Sequence, residues 1–147
     1  METRNHKIVK DMGWLGTWLM YLVFPATHRR SAEKERGLPS SVPGIVDLQI
    51  NELRFRGFVP AVLASIRGIL SADMRNDHGS IHDARVPVLA VWGRQDTVIP
   101  ITALARLTEV SRNTKQEVIE TAGHGLAYTH TADVLAAMRE TLRDGLN

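Results

Sequence analysis

Two residues that can do proton chemistry each follow a short apolar run in the second half of the chain. The run over residues 86–93, VPVLAVWG, leads to Asp96, and the run over residues 117–123, EVIETAG, leads to His124. A histidine titrates near neutral pH and can act as a general base, and a carboxylate can fix its tautomer and stabilise its cation. The two residues therefore have the types required for the acid and the base of a hydrolytic site.

The elements that would position this pair are predicted from hydrophobic periodicity. Residues 86–92 are almost continuously apolar, as a parallel strand covered on both faces is, and residues 117–121 form a second run. A helical pattern over residues 100–110 lies between them, and another covers residues 131–142. Strand, helix and strand in this order form a βαβ unit with parallel strands. Both strands then end at the same edge of the sheet, where open α/β sheets carry their sites.

The spacing alone leaves two interpretations of the pair open. His124 follows Asp96 by 28 residues, which suits one crossover helix and one strand. Glycines that would allow sharp turns lie beside both residues: Gly93, Gly123 and Gly125. Aspartate and glycine are also ordinary turn residues at strand ends, and the histidine could simply lie at the surface. A structural turn is therefore the alternative to a catalytic pair.

The first part of the chain has the pattern of helices. Residues 12–24 are the most apolar stretch, and Trp14, Trp18 and Leu22 recur there every four residues, as the packed stripe of a helix does. The stretch is too short for an ordinary membrane span and no A-x-A cleavage site follows it, so a signal peptide or membrane anchor is the less favoured alternative to a helix. Contact with a membrane surface, helped by the surrounding basic residues, is a less favoured alternative.

Two further helices are predicted over residues 45–56 and 60–70, after a loop rich in glycine and proline at residues 37–44. We therefore expect residues 1–80 to form a helical region and residues 81–147 to form an α/β region.

A polar connection is predicted over residues 73–85. His78 and His82 lie four residues apart in it, which is the spacing of a zinc pair on a helix. Gly79 lies between them and the surroundings are polar, so a solvated loop is favoured and no metal site is predicted.

Composition is typical of a soluble domain. The 147 residues are 44% hydrophobic and 23% charged. The absence of cysteine excludes disulfides, a thiol nucleophile and cysteine-ligated metals, and it fits a reducing compartment. The formal net charge of +2 gives no indication of nucleic-acid binding. We expect a cytoplasmic protein without a nucleic-acid partner.

The two apolar runs and the tail resemble the C-terminal part of the α/β-hydrolase fold superfamily. VPVLAVWGRQDTVIP and VIETAGHGL are similar to the strands that deliver the triad acid and the triad histidine, and TADVLAAMRETL is similar to the final helix. The resemblance implies a partial α/β-hydrolase fold, with a helical cap over residues 1–80 followed by a βαβα unit with two parallel strands. It also implies hydrolysis of an ester or related acyl bond by a Ser–Asp–His type triad, with Asp96 as acid and His124 as base, and without a cofactor or metal.

The nucleophile of that family has no counterpart in the sequence. It lies in a G-x-S-x-G turn ahead of the acid, and none of the serines here stands in such a motif. Three residues near the pair in sequence are expected to shape a pocket for a small hydrophobic acyl or ester substrate: Trp92, Val98 and Leu126. Whether the chain is an enzyme stays open, because it could instead be a catalytically inactive truncated remnant or a binding module.

A sheet of two parallel strands is expected to need a partner. The apolar first strand would keep one unpaired edge, and two strands alone rarely form a stable sheet. We therefore expect marginal stability, with pairing to a complementing N-terminal half or self-association, while membrane contact is not expected.

Overall fold

The chain is a mixed α/β protein with two compact units. The computed structural model describes residues 13–145. Among these, the first unit comprises residues 13–38 and 43–72, and the second comprises residues 39–42 and 73–145. None of the helices in this part of the chain combines the length and the apolar character that crossing a bilayer requires. The predicted mixture of helices with a parallel sheet is confirmed.

Helices make up the first unit. They are α1 over Gly13–Lys34, α2 over Ile45–Glu52, α3 over Phe58–Arg67, and a 3-10 turn over Ile69–Ser71. Residue 12, where the first helix was predicted to begin, lies outside the described residues. α1 continues well beyond the predicted end at residue 24, although Pro25 removes one helical hydrogen bond.

The face of α1 that packs within the unit is not the predicted one. Met20 is buried against Val59 and Leu63 of α3, and Phe24 packs on the edge of this cluster. The tryptophans of the predicted stripe are exposed instead. The expectation that Trp14 is packed is wrong, because the face of α1 that carries Met20 packs against the other helices instead. Met20 lies two residues after Trp18 and therefore on nearly the opposite side of the helix.

The second unit contains the predicted βαβα order. Its elements are α4 over Arg75–Asp83, β1 over Leu89–Gly93, α5 over Ala103–Val110, β2 over Lys115–Ile119, α6 over Leu126–Thr129 and α7 over Thr131–Gly145. β1 and β2 pair in parallel, with Leu89 opposite Lys115 and Gly93 opposite Ile119. α7 contacts both strands. Both strands thus end at the same edge of the sheet.

The strands begin at other residues than predicted. β1 begins at Leu89 rather than at residue 86, because Pro87 has no N–H to donate to a ladder. β2 begins at Lys115, two residues before its predicted start, since the Lys115 N–H donates to the Val88 carbonyl at 2.9 Å. Backbone pairing therefore extends the strand into polar sequence.

The segment predicted as a polar connection contains helix α4, so the prediction of a loop is wrong there. Asp73 accepts a hydrogen bond from the Arg75 N–H at 3.1 Å, and its carboxylate also pairs with the Arg75 guanidinium. Asparagine, aspartate and glycine are poor helix formers, and Gly79 alone costs about 1 kcal/mol relative to alanine. The two units divide between Ala72 and Asp73, earlier than the predicted division after residue 80.

The buried cluster of the first unit predicts how the stability changes when one of its side chains is shortened to alanine. Leu63→Ala removes a buried side chain from the contact between α1 and α3, so we expect the free energy of unfolding to fall by about 2–5 kcal/mol. Leu48→Ala makes the same change at an exposed position of α2 and should alter it by no more than about 0.5 kcal/mol. Urea unfolding followed by circular dichroism measures both. Equal losses in the two variants would contradict the packing described here.

Candidate functional site

Asp96 and His124 meet just beyond the carboxyl ends of β1 and β2. Nδ1 of His124 lies 2.9 Å from Oδ2 of Asp96. An ionised carboxylate can only accept hydrogen bonds, so the imidazole donates from Nδ1, and the neutral form of the ring then has its lone pair on Nε2. The structure thus brings together the two residues that the sequence singled out, in the tautomer that a general base requires.

The Asp96 carboxylate is held on both of its oxygens. Its Oδ1 accepts the N–H groups of Val98 at 2.7 Å and Ile99 at 2.9 Å, while Oδ2 accepts from His124. Burial raises the pKa of Asp96, but the hydrogen bonds from Ile99, His124 and Val98 together outweigh it and hold the pKa below its ordinary 3.8. The side chain, 6% exposed, therefore carries a full negative charge at neutral pH and points it at the imidazole.

The His124 side chain is 52% exposed to solvent. Nδ1 faces the buried carboxylate, and Nε2 is the ring nitrogen that does not contact it. The two partners thus differ strongly in burial: the carboxylate is enclosed, whereas about half of the histidine side chain is exposed. An imidazole held in this way can act as a general base toward a molecule from solvent.

The two loops that carry the pair are tied to each other directly after the strands. The Arg94 N–H donates to the Ile119 carbonyl at 3.0 Å, and the Gln95 N–H donates to the Ala122 carbonyl at 2.9 Å. The Arg94 guanidinium also makes two hydrogen bonds to the Glu120 carboxylate, at 3.0 and 2.8 Å. This ion pair is exposed and contributes little free energy, so the backbone bonds set the alignment of the two loops.

Gly93 is the glycine on which the site depends. A Cβ atom there would lie 2.6 Å from the carbonyl oxygens of both Ala122 and Gly123. A side chain would therefore push the loop that bears the base away from the loop that bears the acid. Gly123 and Gly125 were expected to allow sharp turns, but neither adopts a positive φ angle. Close approach of two backbones, rather than a special turn, explains the glycine at the end of β1.

The three predicted pocket residues lie in different surroundings. The Trp92 indole donates to Oε1 of Gln116 at 3.0 Å, and the Gln116 amide donates in turn to Thr108 at 2.6 Å. Val98 is exposed and touches the pair through its N–H, and Leu126 begins α6 half-buried. Val98 thus contacts Asp96 directly through its N–H, whereas Trp92 is hydrogen-bonded to Gln116 on a face of the sheet.

Three serines of the second unit make hydrogen bonds with partners other than His124. Ser41 Oγ lies 2.7 Å from Oγ1 of Thr131, and Ser80 donates to the Asn76 carbonyl. Buried Ser111 accepts a hydrogen bond from Thr114. Within residues 13–145, none of these three serines is hydrogen-bonded to the His124 ring.

The remaining histidines of the second unit are His78, His82 and His130. Both ring nitrogens of His130 are engaged, by Thr121 at 3.0 Å and by Thr129 at 2.9 Å. His78 and His82 lie on helix α4, contrary to the predicted loop. Across the described part of the chain, histidines and carboxylates nevertheless form no group of three that could hold a metal ion.

Sequence reasoning missed the groups that hold the pair in place. The Asp96 carboxylate accepts hydrogen bonds from the N–H groups of Val98 and Ile99, which lie two and three residues later in the chain. Aspartate commonly binds nearby backbone N–H groups in this way at turns. The signal was therefore present in the segment D-T-V-I-P. No such signal marked Arg94 and Gln95, because their partners follow the other strand.

Comparison with protein families and with curated proteins gave no match for the chain: no protein-family model matches it, and no curated protein is significantly similar to it. Functional inference therefore depends on the Asp96–His124 pair itself.

The close approach at Gly93 can be tested by a matched pair of substitutions. Gly93→Ala must displace the backbone of the opposite loop, so we expect it to lower the free energy of unfolding by about 1–3 kcal/mol. Gly79→Ala adds a methyl group inside α4, where nothing lies within 4 Å, and should raise it by about 0.5–1 kcal/mol. Urea unfolding gives both values. An alanine tolerated at residue 93 would contradict the described contact.

The lowered pKa of Asp96 predicts a stability that depends on pH. A carboxylate with a depressed folded-state pKa stabilises the fold above its unfolded pKa, about 3.9, and loses this contribution as pH falls through the folded-state pKa. The difference in unfolding free energy between the wild type and Asp96→Asn should therefore shrink as the pH falls below about 4. Urea unfolding across this pH range measures the difference. The chemical shift of the Asp96 carboxyl carbon, followed by NMR, should titrate with a pKa below 3.8. A difference that grows on acidification would have the wrong sign.

Proposed function

We propose that the protein hydrolyses an ester or a related acyl bond, with His124 as general base and Asp96 as the acid that orients it. The observation that carries the proposal is the 2.9 Å contact between a buried, fixed carboxylate and Nδ1 of an accessible imidazole. Such a pair supplies the correct tautomer, a fixed ring orientation and compensation for the charge that develops on the ring. The resemblance of both strand-and-loop motifs to α/β-hydrolases supports the same reaction class.

The pair would act in two proton transfers. Nε2 of His124 takes the proton of a hydroxyl group as its oxygen attacks the acyl carbonyl carbon, and a tetrahedral intermediate forms. Asp96 stabilises the imidazolium during this step. The same proton then passes to the leaving oxygen as the bond between it and the carbonyl carbon breaks. The imidazole thus returns to its starting state in each cycle.

The attacking hydroxyl is assigned to a group other than Ser41, Ser80 or Ser111. These serines bond elsewhere, and none follows a strand in a G-x-S-x-G turn. Water is the other candidate for the nucleophile, since about half of the histidine side chain is exposed to solvent. Mass spectrometry separates the two sources, since a side-chain nucleophile leaves an acyl group on the chain whereas water leaves none.

A second candidate function is a binding module, or a catalytically inactive remnant, that keeps the scaffold of such an enzyme. The same serine contacts favour it, because none of the three serines is hydrogen-bonded to His124 as the third member of a triad would be. In that case the pair would be a structural link between two loops. The two candidates differ in whether the chain accelerates hydrolysis at all.

Ester hydrolysis by three variants tests the assignment. p-Nitrophenyl acetate is a suitable small substrate, and His124→Ala should lower its turnover by about 10²-fold or more. Asp96→Asn should be comparably damaging, because the amide oxygen keeps the N–H groups of Val98 and Ile99 and the amide nitrogen then faces His124. The imidazole would have to accept at Nδ1, which places its proton on Nε2 and removes the base. His78→Ala, which alters a histidine of α4, should leave turnover unchanged.

Two results would count against the enzyme assignment. One is a wild-type chain that hydrolyses the ester no faster than buffer does, which favours the binding module. The other is activity that survives in His124→Ala, which places the reaction elsewhere. Restoration of His124→Ala turnover by added imidazole, beyond the rate at which imidazole hydrolyses the ester in buffer alone, would support the role as base, since free imidazole can replace the missing ring.

A further inference from the structure

A cavity of about 140 Å³ lies at the amino end of the sheet, where the connections from α4 and α5 lead into the two strands. Residues of both connections and of the end of α4 line it: His82, Arg85, Val86, Pro87, Ser111 and Asn113. The Lys115 N–H donates to the Val88 carbonyl at 2.9 Å and so joins the two connections at the start of the strands. The Asp96–His124 pair lies beyond the other end of the same strands, about 15 Å of strand away. The cavity is therefore separate from that pair.

The His82 ring contains a buried nitrogen that the fold leaves without a partner. In the part of the chain that the structure describes, Nδ1 of His82 is the buried side-chain nitrogen or oxygen that makes no hydrogen bond. A polar atom that loses water without gaining a partner destabilises the fold, so native proteins provide a hydrogen bond at nearly all such atoms. Because the ring borders the cavity, a molecule bound there could supply the missing partner.

Arg85 occupies a backbone position at which glycine is the usual residue. Helix α4 ends in a Schellman motif, in which the Val86 N–H donates to the Ile81 carbonyl at 3.2 Å. The Arg85 N–H donates to the His82 carbonyl at 3.0 Å in the same motif. Arg85 has a φ angle of 55°, and a Cβ atom destabilises this left-handed conformation. The turn therefore gives no reason for an arginine, whereas a ligand of its guanidinium would.

The lining of the cavity favours an anion. A guanidinium can only donate, and none of the described carboxylates forms an ion pair with Arg85. The Ser111 hydroxyl accepts from Oγ1 of Thr114 at 2.8 Å, which leaves its own proton for another acceptor. Asn113 adds a side-chain amide, and none of the described residues that line the cavity is acidic. An oxyanion can accept hydrogen bonds from all of these groups, whereas Arg85 would repel a cation.

We propose that this cavity binds a phosphate group, either of inorganic phosphate or of a phosphate monoester. The Arg85 guanidinium donates to two of its oxygens, in the forked geometry that arginine offers to phosphate. The His82 ring donates from Nδ1 and Ser111 from its hydroxyl, so the buried nitrogen gains a partner. These donors come from three segments of the chain, which suits a tetrahedral group better than a carboxylate with two oxygens. At about 30 Å³ per water molecule, the cavity has room for one such group.

Water alone accounts for less of this arrangement than an anion does. A water molecule could satisfy Nδ1 of His82, but an exposed guanidinium is hydrated in any backbone conformation and needs no left-handed residue for that. The carbonyl groups at the end of α4 would oppose an anion if they were free. Those of Ile81 and His82 instead accept the hydrogen bonds of the Schellman motif, which weakens this repulsion. The charge of Arg85 then decides the sign of the ligand.

NMR titration of the whole chain with inorganic phosphate tests the proposal, with chloride at the same pH and ionic strength as the reference. We expect phosphate, but not chloride, to shift the backbone amide signals of Arg85 and Asn113 and the ring nitrogen signals of His82. Acetate should bind at least about tenfold more weakly, because it has two oxygens for donors from three segments. Glycerol phosphate distinguishes the two sources: if it also binds, the site takes the phosphate of a larger molecule, and if it does not, the site takes the free ion.

Substitution of Arg85 separates binding from folding. Arg85→Gly removes the guanidinium, so the affinity for phosphate should fall at least about tenfold. It also relieves the left-handed position, so the midpoint of urea unfolding should not fall. Arg112→Gly is the matched control, because it removes an exposed cation directly after Ser111 and should change the affinity by no more than about twofold. His82→Phe keeps a ring without nitrogen and should weaken binding at least about tenfold.

Three results would overturn the proposal. The first is a phosphate titration that shifts no signal beyond the effect of chloride, which leaves water as the occupant of the cavity. The second is an equal loss of affinity in Arg85→Gly and Arg112→Gly, which indicates general attraction to a positive surface. The third is acetate that binds as tightly as phosphate, which contradicts the assignment of a tetrahedral group.

Discussion

The close contact between two backbones at the end of the sheet is the constraint on which the site depends. Gly93 closes β1, and the carbonyl oxygens of Ala122 and Gly123 lie where its side chain would be. Because the loops come this close, the Gln95 N–H reaches the Ala122 carbonyl at 2.9 Å. Parallel pairing brings the strand ends to one edge, but it is this contact that turns a shared edge into a hydrogen bond between Asp96 and His124.

The difference in burial within the pair has a chemical consequence. A buried carboxylate without partners would have a raised pKa and would become neutral, because desolvation disfavours its charge. Here the N–H groups of Val98 and Ile99 replace the lost water on one oxygen, and the imidazole covers the other. Asp96 therefore stays charged although it is nearly enclosed. The exposed ring of His124 can gain a proton at Nε2 with that charge already in place, without rearrangement of the carboxylate.

The order of elements around the site was predictable because it rests on periodicity and connection rules. Two apolar runs separated by a helical pattern leave few topologies, and the parallel βαβ arrangement was found. The start of β2 could not be predicted, since Lys115 and Gln116 are polar and only the backbone ladder makes them strand residues. The surroundings of Trp92 could not be predicted either. Trp92 is close to Asp96 in sequence, but its side chain lies on a face of the sheet, where it is hydrogen-bonded to Gln116 rather than to the pair.

Helix α1 illustrates the same limit more sharply. Its sequence contains two rows at four-residue spacing, one through Trp14 and Trp18 and one through Gly16 and Met20. Hydrophobicity favours the tryptophan row as the buried face, and periodicity alone cannot distinguish them. Packing does, because Met20 fills the space beside Val59 and Leu63. The larger apolar side chains Trp14 and Trp18 therefore remain exposed.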